Sequence, residues 1–313
     1  MALRSCVQSA AVCFLLAGVS YRMPAQSANE TKEAAPAGAA YSTEQRGTAT
    51  PELSDKESLL RARLAQQSDS PELLYALALV LREEGKARDS LDAYTQAAKY
   101  RQPAPAELRS VALDYVLLND YDDAIHWLEV AVKMDPDNPD VLYSLGRCYY
   151  SKDRYADAGQ MYARVLAIQP KNLKAEENLG LVYDAINRPE LAEDALRKAA
   201  SWADANGTDE WPFLDLGSFL LDHVREKEAV DPLRTAVRIQ PGCAACHEKL
   251  GRALLAILDN TTGLAELEQA TKLDPGNPKI HFEFGRALRQ AGQTDRAQQE
   301  FSLSQKLYGS HSE

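Results

Sequence analysis

An apolar residue followed by glycine returns along this chain at nearly constant spacing: Leu145-Gly146, Leu179-Gly180, Leu216-Gly217, Leu250-Gly251 and Phe284-Gly285. The glycines are 34, 37, 34 and 34 residues apart. A period in this range marks small units that each bury one face against a neighbour, and it argues against a single globular core. Other positions keep step. Tyr149 and Tyr183 lie three residues after their glycines, and a small residue lies twelve after each one: Ala158, Ala192, Ala229, Gly263 and Ala297. Val165, Ala199, Ala236, Ala270 and Ser304 follow at nineteen, and Pro170, Pro241 and Pro275 at twenty-four.

This combination resembles the tetratricopeptide repeat, with its W-x-x-L-G-x-x-Y, A-x-x-x-F and A…P pattern. With the glycine at position 8, seven units begin at Pro71, Pro105, Pro139, Leu173, Glu210, Ala244 and Pro278, and the resemblance covers residues 71–311. The first two carry Leu77-Ala78 and Val111-Ala112 in place of Leu-Gly. The one long interval holds Ser201, Asp204, Asn206, Gly207, Thr208 and Asp209, the composition of a loop. The resemblance implies an all-α fold, an α-solenoid of seven helix-turn-helix repeats wound as a right-handed superhelix of fourteen helices. Within a unit, positions 4, 7, 8 and 11 share one face of the first helix, as Leu142, Leu145, Gly146 and Tyr149 do. A glycine there costs about 1 kcal/mol against alanine, so its return requires close helix approach, with Ala158 expected on the facing side.

Stacked units leave an apolar face at each end unless it is capped. Residues 53–67, with Leu59, Leu60, Ala62 and Leu64, are expected to form an N-terminal capping helix within a segment 53–70. At the other end the outer face of the last helix carries Thr294, Asp295, Gln298, Gln299, Ser302 and Gln305, polar enough to need no further cover. Upstream, Arg4, an apolar run from Ala10 to Val19 and Ala25-Gln26-Ser27 read as a signal peptide over residues 1–27. Residues 28–52 lack periodicity and read as a disordered linker. The expected compartment is periplasmic or extracellular, with no membrane span once the signal is removed. That removal takes Arg4 and Arg22, leaving 33 basic against 46 acidic residues and a net charge of −13 in place of −11. Such a balance argues against nucleic acid as a partner.

Catalytic signatures are missing: there is no Walker loop, G-x-S-x-G, H-E-x-x-H or G-x-G-x-x-G. The chain is therefore read as non-enzymatic, with no cofactor and no metal site. One short motif stands apart. Cys243-Ala244-Ala245-Cys246-His247 fits c-type haem attachment, a redox pair, or a local disulfide at a helix start. Haem there would pry apart the packing around Leu250 and Gly251, and His247 occupies position 4, a packing position that His281 takes one repeat later. Cys148 is left over as a buried thiol.

The groove is the stronger candidate. Positions 2, 5, 9 and 12 of each first helix form a separate stripe, which in the tetratricopeptide family lines the concave surface. It reads Ala245, Glu248, Arg252 and Leu255, then Lys279, Phe282, Arg286 and Arg289, with Lys249 and Glu283 at its edge: five cations against two acids. Glu248 can pair with Arg252, and Glu283 with Lys279 or Arg286, leaving Arg289 unpaired. Tyr143, Arg147, Tyr150, Trp211, Leu214 and Leu221 supply aromatic and apolar contacts elsewhere on the stripe. The Lys and Asn pattern of the family's carboxylate clamp is missing. The function expected is a protein-protein interaction adaptor or scaffold that binds a peptide or protein segment, possibly acidic, through Arg252, Lys279, Phe282, Arg286, Arg289, Tyr143, Tyr150 and Trp211. The alternatives are a haem or redox protein using residues 243–247 and a structural component of an envelope assembly.

Overall fold

The structure, a computed structural model, describes residues 50–203 and 207–310. The signal-peptide segment and residues 28–49 lie outside the described residues, as do residues 204–206 of the long interval. Fifteen helices and no strand occur among the described residues. The chain forms two compact units that divide between Gln169 and Pro170.

The first unit holds α1 (Pro51–Leu64) followed by three antiparallel pairs: α2 (Pro71–Glu83) with α3 (Ala87–Ala98), α4 (Pro105–Leu117) with α5 (Tyr121–Met134), and α6 (Pro139–Ser151) with α7 (Tyr155–Ile168). The second holds four pairs: α8 (Leu173–Ala185) with α9 (Pro189–Trp202), α10 (Trp211–Asp222) with α11 (Glu226–Ile239), α12 (Ala244–Ala256) with α13 (Asn260–Leu273), and α14 (Pro278–Gln290) with α15 (Thr294–Ser310). The fifth pair starts one residue later than the repeat register expects, because Glu210 is the N-cap.

Helix starts follow from local chemistry. Asn138 Oδ1 accepts the Val141 N–H at 3.2 Å and its Nδ2 donates to Asp135 Oδ2 at 3.0 Å, after which Pro139 occupies the first helical position. Asn277, Asp274 and Pro278 repeat the device. An Asn cap satisfies an orphan backbone donor and contributes about 1 kcal/mol, and proline there gives up an N–H that had no partner.

The glycines are explained by a residue the spacing alone did not mark. A Cβ on Gly146 would lie 2.7 Å from Tyr162 Cε1, and one on Gly180 would lie 2.8 Å from Leu196 Cγ. Gly217 faces Leu233, Gly251 faces Leu267 and Gly285 faces Phe301, so position 8 receives the side chain of position 24 in each of these pairs. Ala158 is buried, and its equivalents Ala192 and Gly263 present their carbonyl oxygens to Gly180 and Gly251, while the ring of Tyr162 fills the space over Gly146. At α12 and α13 the approach is closest to backbone: a Cβ on Gly251 would be 2.9 Å from the Gly263 carbonyl oxygen.

The helix before the first pair spans Pro51–Leu64, two residues earlier at its start and three at its end than the expected 53–67, because Thr50 Oγ1 caps it by accepting the Leu53 N–H. Its covered face is Leu53, Glu57, Leu60 and Leu64, all half-buried at helical spacing, whereas Leu59 and Ala62 are exposed. Glu57 Oε2 accepts from Lys86 Nζ at 2.7 Å and ties this helix to the α2–α3 turn. On α15, Thr294, Asp295, Gln298, Gln299, Ser302 and Gln305 are exposed.

One buried carboxyl stands out in the first unit. Asp114 is fully buried, with Oδ2 2.6 Å from Ser90 Oγ, while the Ser90 hydroxyl is 2.8 Å from the Ala78 carbonyl. One hydroxyl proton cannot fully serve both acceptors, and Asp114 Oδ1 has no partner among the described residues, so the charged carboxylate is poorly satisfied. Burial pushes this carboxyl up to about 7, against the opposing effects of the Ser90 hydrogen bond and the Arg82 charge.

Two outcomes follow for stability. Gly251→Ala should lower it by about 1–3 kcal/mol despite the better helix propensity of alanine, because the new methyl meets backbone. Gly242→Ala, with only Gln240 Oε1 at 3.8 Å, should be close to neutral; equal urea midpoints for the two variants would contradict the packing. Asp114 holds its proton more tightly folded than unfolded, where its value is about 3.9, so its contribution is complete below pH 4 and is lost as pH rises to about 7. Relative to Asp114→Asn, the native chain should lose up to about 1.4 kcal/mol per pH unit between pH 5 and 7, and a pH-independent difference would contradict it.

Candidate functional site

In the second unit the stripe forms a cleft of about 300 Å³ lined by Leu221, Arg252, Leu255, Glu283 and Arg286, among others. Arg252 and Arg286 thus come together. Each is held by an acid on its own helix: Arg252 Nη1 donates to Glu248 Oε1 at 3.4 Å, and Arg286 Nη1 donates to Glu283 Oε2 at 3.1 Å. Glu248 is buried, at 5% exposure, so it serves as a fixed counter-charge and does not compete for a ligand at the surface. Lys249 is spoken for in part as well. It lies near Asp215, whose carboxyl burial pushes up to about 7, with Asp209 adding to that rise and Lys249 opposing it. The local cation excess is therefore smaller than a count along the sequence gives.

Phe282 and Arg289 share a support that sequence reading missed. The Phe282 ring is 46% exposed and packs on Phe301 at 5.7 Å between centroids, and the Arg289 guanidinium lies over the same ring at 5.3 Å. Among the described residues Arg289 has no carboxylate within 4 Å, but it is not unpartnered; Phe301 orients it through a cation–π contact. Lys279 is exposed at the start of α14. Trp211 is half-buried against the core of the second unit, and Leu214, expected as a groove contact, is buried in that core at 4% exposure.

Tyr143 and Tyr150 belong to the first unit, half-buried on α6. Tyr143 packs on Tyr162 at 5.8 Å and Tyr150 meets Tyr155 edge-on at 5.3 Å. Arg147 lies between them in sequence, and Arg82 and Arg109 occupy the same stripe on α2 and α4.

The cysteine motif has a structural role. Cys243 and Cys246 form a disulfide, and Cys243, the N-cap of α12, accepts the Cys246 N–H at Sγ, 3.1 Å away. Both ring nitrogens of His247 are engaged, Nδ1 with Glu266 Oε2 at 2.5 Å and Nε2 with the Pro241 carbonyl at 3.0 Å. His281 repeats this with Glu300 Oε2 at 2.7 Å and the Pro275 carbonyl at 3.1 Å. Each histidine is a clamp across its helix pair, and ligation by His247 would break one. Cys148 is buried, and that burial pushes its thiol up to about 12.

Profiles described as tetratricopeptide repeat match residues 115–172, 177–206 and 266–299, on both units. The chain is a tetratricopeptide repeat protein. Among curated relatives, it is 29% identical over 135 residues to the BBSome complex member BBS4 homolog of Drosophila melanogaster, covering 43% of this chain and 28% of that one. It is 22% identical over 178 residues to the anaphase-promoting complex subunit CDC16 of Saccharomyces cerevisiae, covering 55% and 21%. The chain thus spans about a quarter of the length of these relatives. Similar folds occur in the APC/C hetero-tetramer Cut9-Hcn1 (TM-score 0.62, 15% identity, 84% of this chain and 51% of that one) and in a tetratricopeptide repeat protein from Parabacteroides merdae (0.62, 16%, 81% and 92%). The tetratricopeptide fold is generally a non-enzymatic protein-interaction scaffold. No helix among the described residues is long and apolar enough to cross a membrane.

Because the Cys243–Cys246 bridge closes a very short loop, reducing it should cost at most about 2 kcal/mol and leave helix content unchanged. Circular dichroism of the chain with and without a thiol reductant checks this, and loss of the helical signal on reduction would make the bridge a folding requirement.

Proposed function

We propose that this tetratricopeptide repeat protein is an adaptor that holds an extended, acidic segment of another protein against the first helices of its repeats. The observation that carries the reading is the cleft on α10, α12 and α14, where Arg252 and Arg286 stand beside the apolar Leu221 and Leu255. Carboxylates engage such guanidinium groups through charge-assisted hydrogen bonds, and the leucines accept alternate apolar side chains. Phe282, Lys279 and Arg289 extend this surface along α14, and Trp211 on α10 adds an aromatic contact in the same unit; Tyr143 and Tyr150 are the aromatic contacts on α6 of the first unit. Two relatives are named as members of multi-subunit complexes, which supports a role in assembly. Export belongs to the reading too: the pattern over residues 1–27 and the Cys243–Cys246 disulfide both suit an oxidising compartment.

The test is capture of partners from an extract of the native source on immobilised full-length protein. Replacing Arg252, Arg286 and Arg289 together by Ser should keep helicity and weaken retention, each lost charge-assisted bond contributing about 1.5–3 kcal/mol. Retention by the native chain should also fall with added salt. Replacing Arg197 and Lys198 on α9 should do much less. Undiminished, salt-insensitive capture by the triple variant would move the site off this cleft.

A further inference from the structure

We propose that the Cys243–Cys246 disulfide is an exchange site that oxidises a pair of thiols on another polypeptide, with Cys243 the sulfur attacked and Cys246 the sulfur expelled. This activity goes beyond the adaptor function and uses none of its charged residues.

The start of α12 does not need a covalent bond. Asn138 and Asn172 cap α6 and α8 by accepting the N–H of the residue three further on, at 3.2 and 2.9 Å, and Cys243 Sγ does the same for the Cys246 N–H at 3.1 Å. The third helical residue is buried in each case, as Val141, Ala175 and Cys246. An asparagine and an aliphatic side chain thus build the same turn twice elsewhere in the chain, and a bridge across so short a loop adds little stability. What cysteines add at these two positions is the chemistry of sulfur.

The two sulfurs differ in access. Cys246 is 0% exposed, whereas Cys243 is half-buried. Pro241, Gly242 and Ala245 flank Cys243, exposed and without long side chains, which leaves room for an extended main chain to approach. An incoming thiolate therefore reaches Cys243 first. Both cysteines lie at the N-terminal end of α12, where the Cys246 N–H and the helix dipole favour negative charge on sulfur. No acidic residue stands in the first turn of α12 to oppose that charge, although α2, α4, α6 and α8 carry Glu72, Glu107, Asp140 and Glu176 there.

The exchange moves two electrons. A partner thiolate bonds to Cys243 Sγ, the bond between the two cysteine sulfurs breaks, and its electron pair leaves on Cys246, which takes up the proton that the attacking thiol lost. The second partner thiolate attacks the partner's own sulfur in the mixed disulfide, and Cys243 leaves with the electron pair and takes the second proton. The partner dithiol ends as a disulfide and the bridge as a dithiol. Cys246, with its Cα 5.3 Å from that of Cys243, recloses the bridge unless the competing thiol is equally near, so the second thiol must belong to the same molecule as the first.

The probe is a reduced synthetic peptide carrying two cysteines, mixed without oxygen with the oxidised full chain and followed by mass spectrometry of the tryptic segment 239–249, which holds both cysteines. The peptide should lose two hydrogens as that segment gains two, one molecule for one. A peptide with a single cysteine should leave the bridge mostly closed. Cys243→Asn should keep the helical circular dichroism and lower peptide oxidation about tenfold or more. In Cys246→Ser, the symmetrical disulfide of the one-cysteine peptide should form a lasting mixed disulfide at Cys243, whereas Cys246 in Cys243→Asn should stay unlabelled. A bridge that stays closed against the two-cysteine peptide, equal opening by the one-cysteine peptide, or labelling of Cys246 as readily as Cys243 would overturn the proposal. So would opening by dithiothreitol and not by the peptide, which would replace a polypeptide with a small dithiol. If Cys243→Asn loses its helical signal, the native chain with the two peptides still decides. Salt-sensitive capture of partners by the arginine cleft is unaffected by either result.

Discussion

The contact on which the rest depends is the insertion of the position-24 side chain of each second helix into the space over position 8 of the first. Where position 8 is glycine, the incoming group is Tyr162, Leu196, Leu233, Leu267 or Phe301, and a Cβ would collide with it. Tyr162, Leu196, Leu233 and Leu267 are at most 1% exposed, so this is the centre of each pair and not its edge. Dense interiors do not absorb an added methyl without shifts elsewhere. The spacing of the two helices fixes the rotation of the first one. It thereby decides which residues are core, at positions 4, 7, 8 and 11, and which are left on the groove stripe.

Charge on that stripe has different consequences in the two units. In the second, Glu248 and Glu283 sit on the same helices as Arg252 and Arg286, so the cations are positioned but largely compensated. In the first, Arg109 is positioned by the neutral Ser144, and its charge faces other arginines. Histidines at position 4 take no part in this surface. His247 and His281 bridge a carboxylate on the second helix and a proline carbonyl in the preceding turn, which locks the pair from behind.

Much of the fold was legible because the repeat imposes several constraints at once: glycine spacing, Asn-Pro helix starts and small residues at fixed offsets. The first helices of the seven pairs begin within one residue of the register read from those signals. What was not legible depends on stacking. Arg109 on one first helix donates to Ser144 on the next, a contact that a stripe read one repeat at a time does not show. Reading position 5 of one repeat against position 6 of the next is the signal that would have found it. Phe301 was passed over as a groove element because it lies on a second helix, although it supports both Phe282 and Arg289. The turns hid something too. Gly85, Asn119, Asp153, Asn187 and Gly292 suit a positive φ, but Val224 and Leu258 adopt it as well, at 59° and 68°, where neither residue type announces such a turn.

The central claim is that partners are bound by the stripe on the first helices. Amide hydrogen exchange of the full chain, measured with and without a captured partner, tests it most directly. The account predicts added protection in α4, α6, α12 and α14, with α9 and α11 little changed. Protection concentrated on the second helices, with the first helices unaffected, would contradict it.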